Sequence, residues 1–232
     1  QNPFGNIHHP QMKETLLAAK VVSWLDSQHW DIFQEVKIPH GVADIIGVLG
    51  SLDESIKTQK SNIKLWIIEC KTGLSLTVIQ QAWLRKPYAN YVSIAVPDRN
   101  YKEQRLVTNV LNHLGIGQLM VSNNNDTILE TISPTLQRRT SKIKLYDQQR
   151  TYCNAGSKSG YFTPYKQTID NVYNYLITHG PATIADIVKG INTHYKTTST
   201  AKSSLLQALT QWESHRFTVD KTTWPWRYGI RD

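Results

Sequence analysis

The first half of the chain alternates short apolar runs, rich in β-branched residues, with longer stretches in which apolar residues recur every three or four positions. The short runs are typical of buried strands and the periodic stretches of helices. Strands are predicted at residues 32–38, 42–46, 65–73 and 91–96, with a hairpin formed by 116–122 and 127–132. Helices are predicted at residues 12–24, 77–84 and 102–114. This order predicts an α/β domain.

Two of the predicted strands carry a carboxylate inside an otherwise apolar run. Asp44 is flanked on both sides by apolar residues, and Glu69 follows a run of Leu, Trp and Ile. A buried carboxylate is costly unless a positive group compensates it. Because side chains alternate between the faces of a strand, Glu69 and Lys71 are expected to be neighbours on one face. That face should also hold Leu65 and Ile67, and the opposite face Trp66, Ile68 and Cys70.

Asp44, followed after twenty-four residues by Glu69-x-Lys71, resembles the motif of the PD-(D/E)XK nuclease superfamily, which includes many restriction enzymes, Holliday-junction resolvases and RecB-type nucleases. The resemblance covers about residues 8–134. It implies a restriction endonuclease-like α/β core, in which helices flank a mixed sheet. One departure is Ala43 before Asp44, where the family name has proline.

The resemblance also implies a chemistry for these residues. Asp44, Glu69 and the backbone carbonyl of Cys70 would hold Mg²⁺, with Mn²⁺ as an expected substitute, since such hard cations prefer oxygen ligands. Lys71 would position the attacking water or stabilise the charge that develops on phosphorus. The alternative is a solvated ion pair on an exposed strand, which contributes little. The apolar surroundings of Asp44 and Glu69 argue against that alternative.

Three further residues are candidates for a supporting role. Many members of the superfamily carry a glutamine on the helix after the E-x-K motif, and Gln81 fits that place better than Gln80. An ordinary polar helix residue is the alternative. Family members often place a glutamate on the first helix, where Glu14 lies, but Glu35 in the following strand competes for the same role. The hairpin register decides between Glu14 and Glu35, and a third possibility is that neither residue has this role.

Composition limits the class of protein and its partners. The eight histidines show no metal-ligand spacing, and two cysteines argue against a disulfide framework. No apolar run approaches a membrane span and no secretory signal pattern begins the sequence, so a cytoplasmic protein without a membrane partner is expected. The net charge of +8 resides entirely in residues 135–232, which contain fourteen Lys and Arg against six Asp and Glu. This asymmetry favours nucleic acid as a partner.

The sequence predicts three regions: a nuclease domain at residues 1–134, a basic linker at 135–162, and a second domain at 163–232. The linker is rich in Ser, Gly and Asn near its end. Its cations either contact phosphates or are simply solvated. These cations are Arg138, Arg139, Lys142 and Lys144.

The second domain is predicted to contain helices at residues 165–177, 184–191 and 200–212 and strands at 216–219 and 226–230. This order resembles a winged helix-turn-helix domain, in which the third helix enters the major groove and the wing lies on the DNA backbone. The groove-facing candidates are Lys196, Thr197, Thr198, Ser199, Lys202 and Ser203, and the wing candidates are Arg216, Lys221 and Arg227. A protein-binding winged helix with ordinary helix capping is the alternative. Trp224 and Trp226 are expected to close a small core rather than to stack on bases.

The combined prediction is a metal-dependent endodeoxyribonuclease that holds double-stranded DNA with a winged helix. The domain order resembles the endonuclease subunit of heteromeric transposases, so a homodimer or a partner protein from a mobile element, phage or restriction system is expected. Two alternatives remain open. One is a non-catalytic DNA-binding or assembly protein on a nuclease scaffold, and the other is a junction-specific resolvase.

Overall fold

A computed structural model describes residues 12–50, 63–98, 105–151, 153–156, 160–222 and 224–231. The chain divides into two compact units, residues 1–162 and residues 163–232. Among the described residues, no helix combines the length and the apolar character that crossing a bilayer requires.

The first unit is built around a mixed six-stranded sheet. Its elements are α1 (Glu14–Ser27), β1 (Asp31–Ile38), β2 (Gly41–Leu49), β3 (Lys64–Cys70), α2 (Leu76–Arg85), β4 (Tyr91–Pro97), α3 (Arg105–Leu114), β5 (Gly117–Val121) and β6 (Ile128–Ile132). The strands lie in the order β1-β2-β3-β4-β5-β6. Strands β3, β4 and β5 are parallel, and the other neighbours are antiparallel. The predicted α/β core with a mixed sheet and flanking helices is therefore confirmed, although residues 102–104 of the third predicted helix lie outside the described residues.

Two hydrophobic cores cover the two faces of this sheet. On one face, α1 buries Leu17, Val21 and Leu25 against the sheet. On the other face, α2 buries Val78 and Ala82. The side chains of β3 divide between these cores as predicted: Ile67 lies in the α2 core, and Trp66, Ile68 and Cys70 lie in the α1 core. The alternation of β3 thus fixes which helix faces each side of the candidate motif.

The segment predicted to be a linker belongs to the first unit. Ile143 and Leu145 pack against the α2 core. The amide of Gln137 donates to the carbonyl of Asn90 over 2.8 Å, and Arg150 forms an ion pair with Asp31 at 2.7 Å. The linker prediction was wrong because this charged stretch also contains apolar residues, Ile143 and Leu145, which alternate with lysines and pack against the α2 core.

This packing also changes the charge distribution between the two parts of the molecule. Residues 1–162 contain eighteen Lys and Arg against thirteen Asp and Glu, and residues 163–232 contain eight against five. Both units are therefore basic, and the larger excess lies on the first.

The second unit contains three helices and a small sheet. Its elements are α4 (Pro164–His179), β7 (Ala182–Thr183), α5 (Ile184–Gly190), α6 (Thr198–Gln207), β8 (Phe217–Asp220) and β9 (Arg227–Ile230). The antiparallel strands lie in the order β7-β9-β8, and α6 continues into a π-helical turn, Ala208–Trp212. Threonines at positions 163, 183 and 197 cap the three helices. Strand β7 was not predicted, since two residues are too few for a strand pattern.

We expect the first unit to fold as residues 1–162 but to lose stability when it is cut after residue 136. The shorter fragment lacks the packing of Ile143 and Leu145 and the Arg150–Asp31 ion pair. Its free energy of unfolding, measured by urea denaturation, should fall by about 2–4 kcal/mol. A matched control is residues 1–162 with the exposed Lys142 changed to serine, which should stay within about 0.5 kcal/mol. Equal stability of the two fragments would show that residues 137–162 are not part of the unit.

Candidate active site

Three carboxylates form a row across neighbouring strands of the first unit. The pairs on either side of Glu35 in β1 place it opposite Asp44 in β2. The row continues into β3, because Ile45 pairs with Ile68 and the next residues toward the strand ends are Asp44 and Glu69. Glu35 and Asp44 are each only 8% exposed and Glu69 is 1% exposed. Such burial of three like charges is costly and requires specific compensation.

The regular alternation of side chains is interrupted at Glu35 in β1 and at Asp44 in β2. Phe33 and Val36 are three residues apart in β1, yet both lie in the α2 core, where regular alternation would place them on opposite faces. Glu35 between them has a φ of +51°, in the left-handed region that a residue with a side chain rarely adopts. Ala43 and Ile46 repeat the slip around Asp44. Backbone strain of this kind persists only where surrounding contacts impose it, and it is frequent at functional sites.

Lys71, directly after β3, lies between two carboxylates. Its Nζ is 2.5 Å from Oε1 of Glu14 and 3.4 Å from Oδ2 of Asp44. Strand alternation alone had suggested Glu69 as the neighbour of Lys71. In the structure, Lys71 forms its ion pairs with Glu14 and Asp44 instead. The sequence left open whether Glu14 or Glu35 approaches Asp44, and the structure brings both to the site.

The partner of Glu69 is Arg85, which the sequence analysis did not identify. Nε of Arg85 donates to Oε1 of Glu69 over 2.7 Å, and its other nitrogens donate to the carbonyls of His40 and Val42 over 3.0 and 2.8 Å. The arginine is 2% exposed. Its position seven residues after Val78, on the apolar face of α2, was the available signal, because a cation there must be buried and therefore paired.

The electrostatics of the site reflect burial and crowding of charge. Burial, together with the nearby charge of Asp44, raises the pKa of Glu69 to about 7, although Arg85 opposes the shift. Burial likewise raises the pKa of Asp44 and that of Glu35. For Lys71, burial would lower the pKa, but Asp44, Glu14 and Glu69 outweigh it and the pKa is raised. Four carboxylates thus face two cations, which leaves an excess of negative charge that favours a bound cation.

The donor set fits a hard divalent cation. The hydrogen bonds of the described residues use Oδ2 of Asp44, which accepts from the Cys70 amide over 2.8 Å, and Oε1 of Glu69. The second oxygen of each carboxylate could therefore serve as a donor to a cation, with the Cys70 carbonyl as the predicted third. Within the described residues, no three His, Cys, Asp or Glu side chains form a ready cage. A cation here would complete its coordination with water or phosphate oxygens, as Mg²⁺ commonly does.

Gln81 lies on α2 one turn before Arg85. It is half-buried, whereas Gln80 is exposed, so its place matches the preference for Gln81 in the sequence analysis. Its Oε1 is buried without a hydrogen-bond partner among the described residues. A buried acceptor without a hydrogen bond destabilises the folded protein unless a ligand or a water molecule donates to it. Gln81 therefore has an unused acceptor on the face of α2 that carries Arg85, four residues later.

The cations predicted to contact DNA lie on both units. Exposed side chains on the first unit are Arg138, Arg139, Lys142 and Lys144, and exposed side chains around the start of α6 are Lys196, Thr197, Thr198, Ser199, Lys202 and Ser203. Thr197 is the helix cap and accepts the amide of Thr200 over 3.2 Å, so it already has a structural role. Lys196 and Lys202 are the cations of this group.

The wing residues differ from one another. Arg216 is held by Asp170 at 3.2 Å and lies 5.1 Å from the ring of Tyr173, so it stabilises the second unit and is not a free cation. Lys221 and Arg227 are exposed. Trp226 packs against the core as expected, but Trp224 is 82% exposed, so its predicted role in the core was wrong.

Comparison with protein-family models, curated proteins and solved structures gives no match for this chain. The geometry of the site is therefore the basis for a functional assignment.

We expect removal of Arg85 to destabilise the first unit through the charge left on Glu69. Arg85→Met should cost about 3–5 kcal/mol near pH 8, as is typical when one partner of a buried pair is lost. The cost should be smaller near pH 5, because a carboxyl with a raised folded-state pKa is stabilised at low pH and loses that stability as pH rises. Urea denaturation at the two pH values measures this.

The matched control for that experiment is the double variant Arg85→Met with Glu69→Gln, which carries no buried charge at this pair. Its stability should change less between pH 5 and pH 8 than that of Arg85→Met alone. The same pH dependence in both variants would mean that Glu69 is not the group that Arg85 compensates.

Proposed function

We propose that this protein is a Mg²⁺-dependent endodeoxyribonuclease. The observation that carries the proposal is the buried row of Glu35, Asp44 and Glu69, with Lys71 in contact with Asp44. Hydrolysis of a phosphodiester with a hard cation calls for an all-oxygen donor set and an excess of negative charge. The buried carboxylates beside Lys71 supply both. The resemblance of Asp44 and Glu69-x-Lys71 to the PD-(D/E)XK motif supports the same reaction class.

Each residue has a role in this proposal. Asp44, Glu69 and the Cys70 carbonyl would hold the cation, which when bound offsets phosphate charge and lowers the pKa of its water. Lys71 presents an ammonium group to the reacting phosphate, where it stabilises the charge that develops as water adds to phosphorus and one P–O ester bond breaks. Glu14 holds Lys71 in place. Gln81 offers Oε1 as an acceptor for a water proton.

Duplex DNA is the proposed substrate, held by both units. The order α4-β7-α5-α6-β8-β9, with β9 between β7 and β8, supports a winged helix in the second unit. Exposed Lys196 and Lys202 flank the start of α6, and residues 196–204 contain no acidic residue. The exposed cations between residues 138 and 144 lie on the first unit, so that unit also attracts phosphate. DNA binding is therefore assigned to both units, and not to the second unit alone.

One observation favours a second candidate, a non-catalytic DNA-binding or assembly protein. Arg85 already neutralises Glu69 through a buried ion pair, so a cation must share that carboxylate with a guanidinium. In this alternative the acidic row is a structural remnant, and activity does not depend on Asp44 or Lys71.

We expect Lys71→Ala and Asp44→Asn each to lower DNA cleavage by at least about 100-fold, because each removes a charge that acts on the reacting phosphate or its cation. DNA affinity should change little, since the exposed cations supply it. The assay is incubation of supercoiled plasmid with Mg²⁺ or Mn²⁺, read as nicked, linear and fragmented products.

Lys64→Ala is the matched control for Lys71→Ala, because Lys64 is an exposed lysine at the opposite end of β3. It should cleave like the wild type. Cleavage by Lys71→Ala or Asp44→Asn at the wild-type rate would rule out the site. No cleavage by the wild type with either cation would favour the non-catalytic candidate.

We expect residues 163–232 and residues 1–162 each to bind duplex DNA, with affinity that falls as salt rises because counterions are released. In the second fragment, Lys196→Ala or Lys202→Ala should reduce the salt slope by about one if the contact is to phosphate. Lys189→Ala, an exposed lysine on α5, is the control and should bind like the parent fragment. Fluorescence anisotropy at several salt concentrations measures this. If residues 163–232 do not bind and residues 1–162 bind as tightly as the full chain, the second unit is a protein-docking module.

A further inference from the structure

A segment distant in sequence from the acidic row crosses β1 and follows its polar side chains. We call residues 149–151 and 153–156 the strap. Arg150 is bound to Asp31 through two hydrogen bonds of 2.7 and 3.3 Å, and its guanidinium lies 4.4 Å from the ring of Phe33. The Arg150 carbonyl accepts from Nε2 of Gln34 over 3.3 Å. The strap is thus anchored on three residues of β1, Asp31, Phe33 and Gln34.

The far end of the strap reaches the acidic row. The Ala155 amide donates to Oε1 of Gln34 over 2.9 Å, and the next amide, that of Gly156, donates to Oε1 of Glu35 over 2.8 Å. Ala155 is buried in the α1 core, so the end of the strap is fixed by packing as well. Two successive backbone donors therefore set the orientation of two successive side chains of β1.

Gly156 also lies directly on Glu14. A Cβ atom at this position would be 3.1 Å from the backbone carbon, the carbonyl oxygen and Cγ of Glu14, which is closer than ordinary contact. Its φ of +73° is in the region that favours glycine. One glycine thus contacts both site glutamates: it binds the Glu35 carboxylate through its amide, and it limits where the start of α1 can lie.

We propose that the strap is part of the active site, with Gly156 as a positioning residue that holds Glu35 in the acidic row and Glu14 against Lys71. This inference rests on the nuclease function proposed above. The strained backbone of Glu35 supports it, since a conformation with φ of +51° needs external contacts to persist and Gly156 supplies one of them. The contact of Glu14 with Lys71 extends the effect of the strap to the ammonium group.

The chain offers a matched pair of glycines for testing this. Gly156→Ala places a side chain at a positive φ and makes it clash with Glu14, whereas Gly180→Ala places one at a similar φ of +74° with nothing within 4 Å of the added methyl. Both variants of the full chain should melt a few degrees lower than the wild type. Only Gly156→Ala should lower the single-turnover cleavage rate, by about 100-fold, as expected when reacting groups shift by about 1 Å. Duplex DNA affinity should be unchanged in both.

A second measurement tests the contact without turnover. The ¹H–¹⁵N resonance of the Gly156 amide should move upfield in Glu35→Ala, which lacks an acceptor, and stay close to the wild-type position in Glu35→Gln, which keeps one. Equal loss of cleavage in Gly156→Ala and Gly180→Ala, or no shift of the amide in Glu35→Ala, would overturn the inference. A wild type that cleaves no DNA with Mg²⁺ or Mn²⁺ would instead overturn the proposed function, while the amide measurement would still report on the strap contact.

Discussion

The burial of three carboxylates side by side in one sheet is the constraint on which the rest of the first unit depends. Water cannot solvate these groups, so the fold must supply positive charges and N–H donors at fixed places. They come from three parts of the chain: Arg85 from α2, the Cys70 amide and Lys71 from the end of β3, and the Gly156 amide from the strap. Several otherwise separate parts of the chain converge at this point because the acidic row requires them.

Arg85 has a second consequence beyond its ion pair. Two of its nitrogens bind the carbonyls of His40 and Val42, at the turn that connects β1 to β2. The same guanidinium therefore fixes the orientation of the Glu69 side chain and the backbone of the turn that precedes Asp44. A bidentate donor with this planar geometry has no equivalent in lysine, which makes position 85 intolerant of an otherwise similar cation.

Local sequence patterns predicted most of the strands and helices, because their apolar periodicity is imposed by burial against one sheet. They also predicted that Asp44 and Glu69 are buried. What they missed depends on distant contacts. The pairing of Glu69 with Arg85 and the slip at Glu35 follow from how elements pack, and so does the packing of Ile143 and Leu145 against the α2 core. The exposure of Trp224 in the segment between β8 and β9, next to the packed Trp226, is likewise not visible in the local pattern.

The contact between Glu35 and Gly156 joins residues 121 positions apart in the sequence. Contacts of that separation form late, since the entropy of closing a long loop must be offset by the structure already in place. During synthesis, the sheet strands through β6 emerge from the ribosome before the strap does. A chain released early would contain Asp44, Glu69 and Lys71 but would lack the last amide that the acidic row receives. The order of the chain thus delays completion of the site until residue 156 has been made.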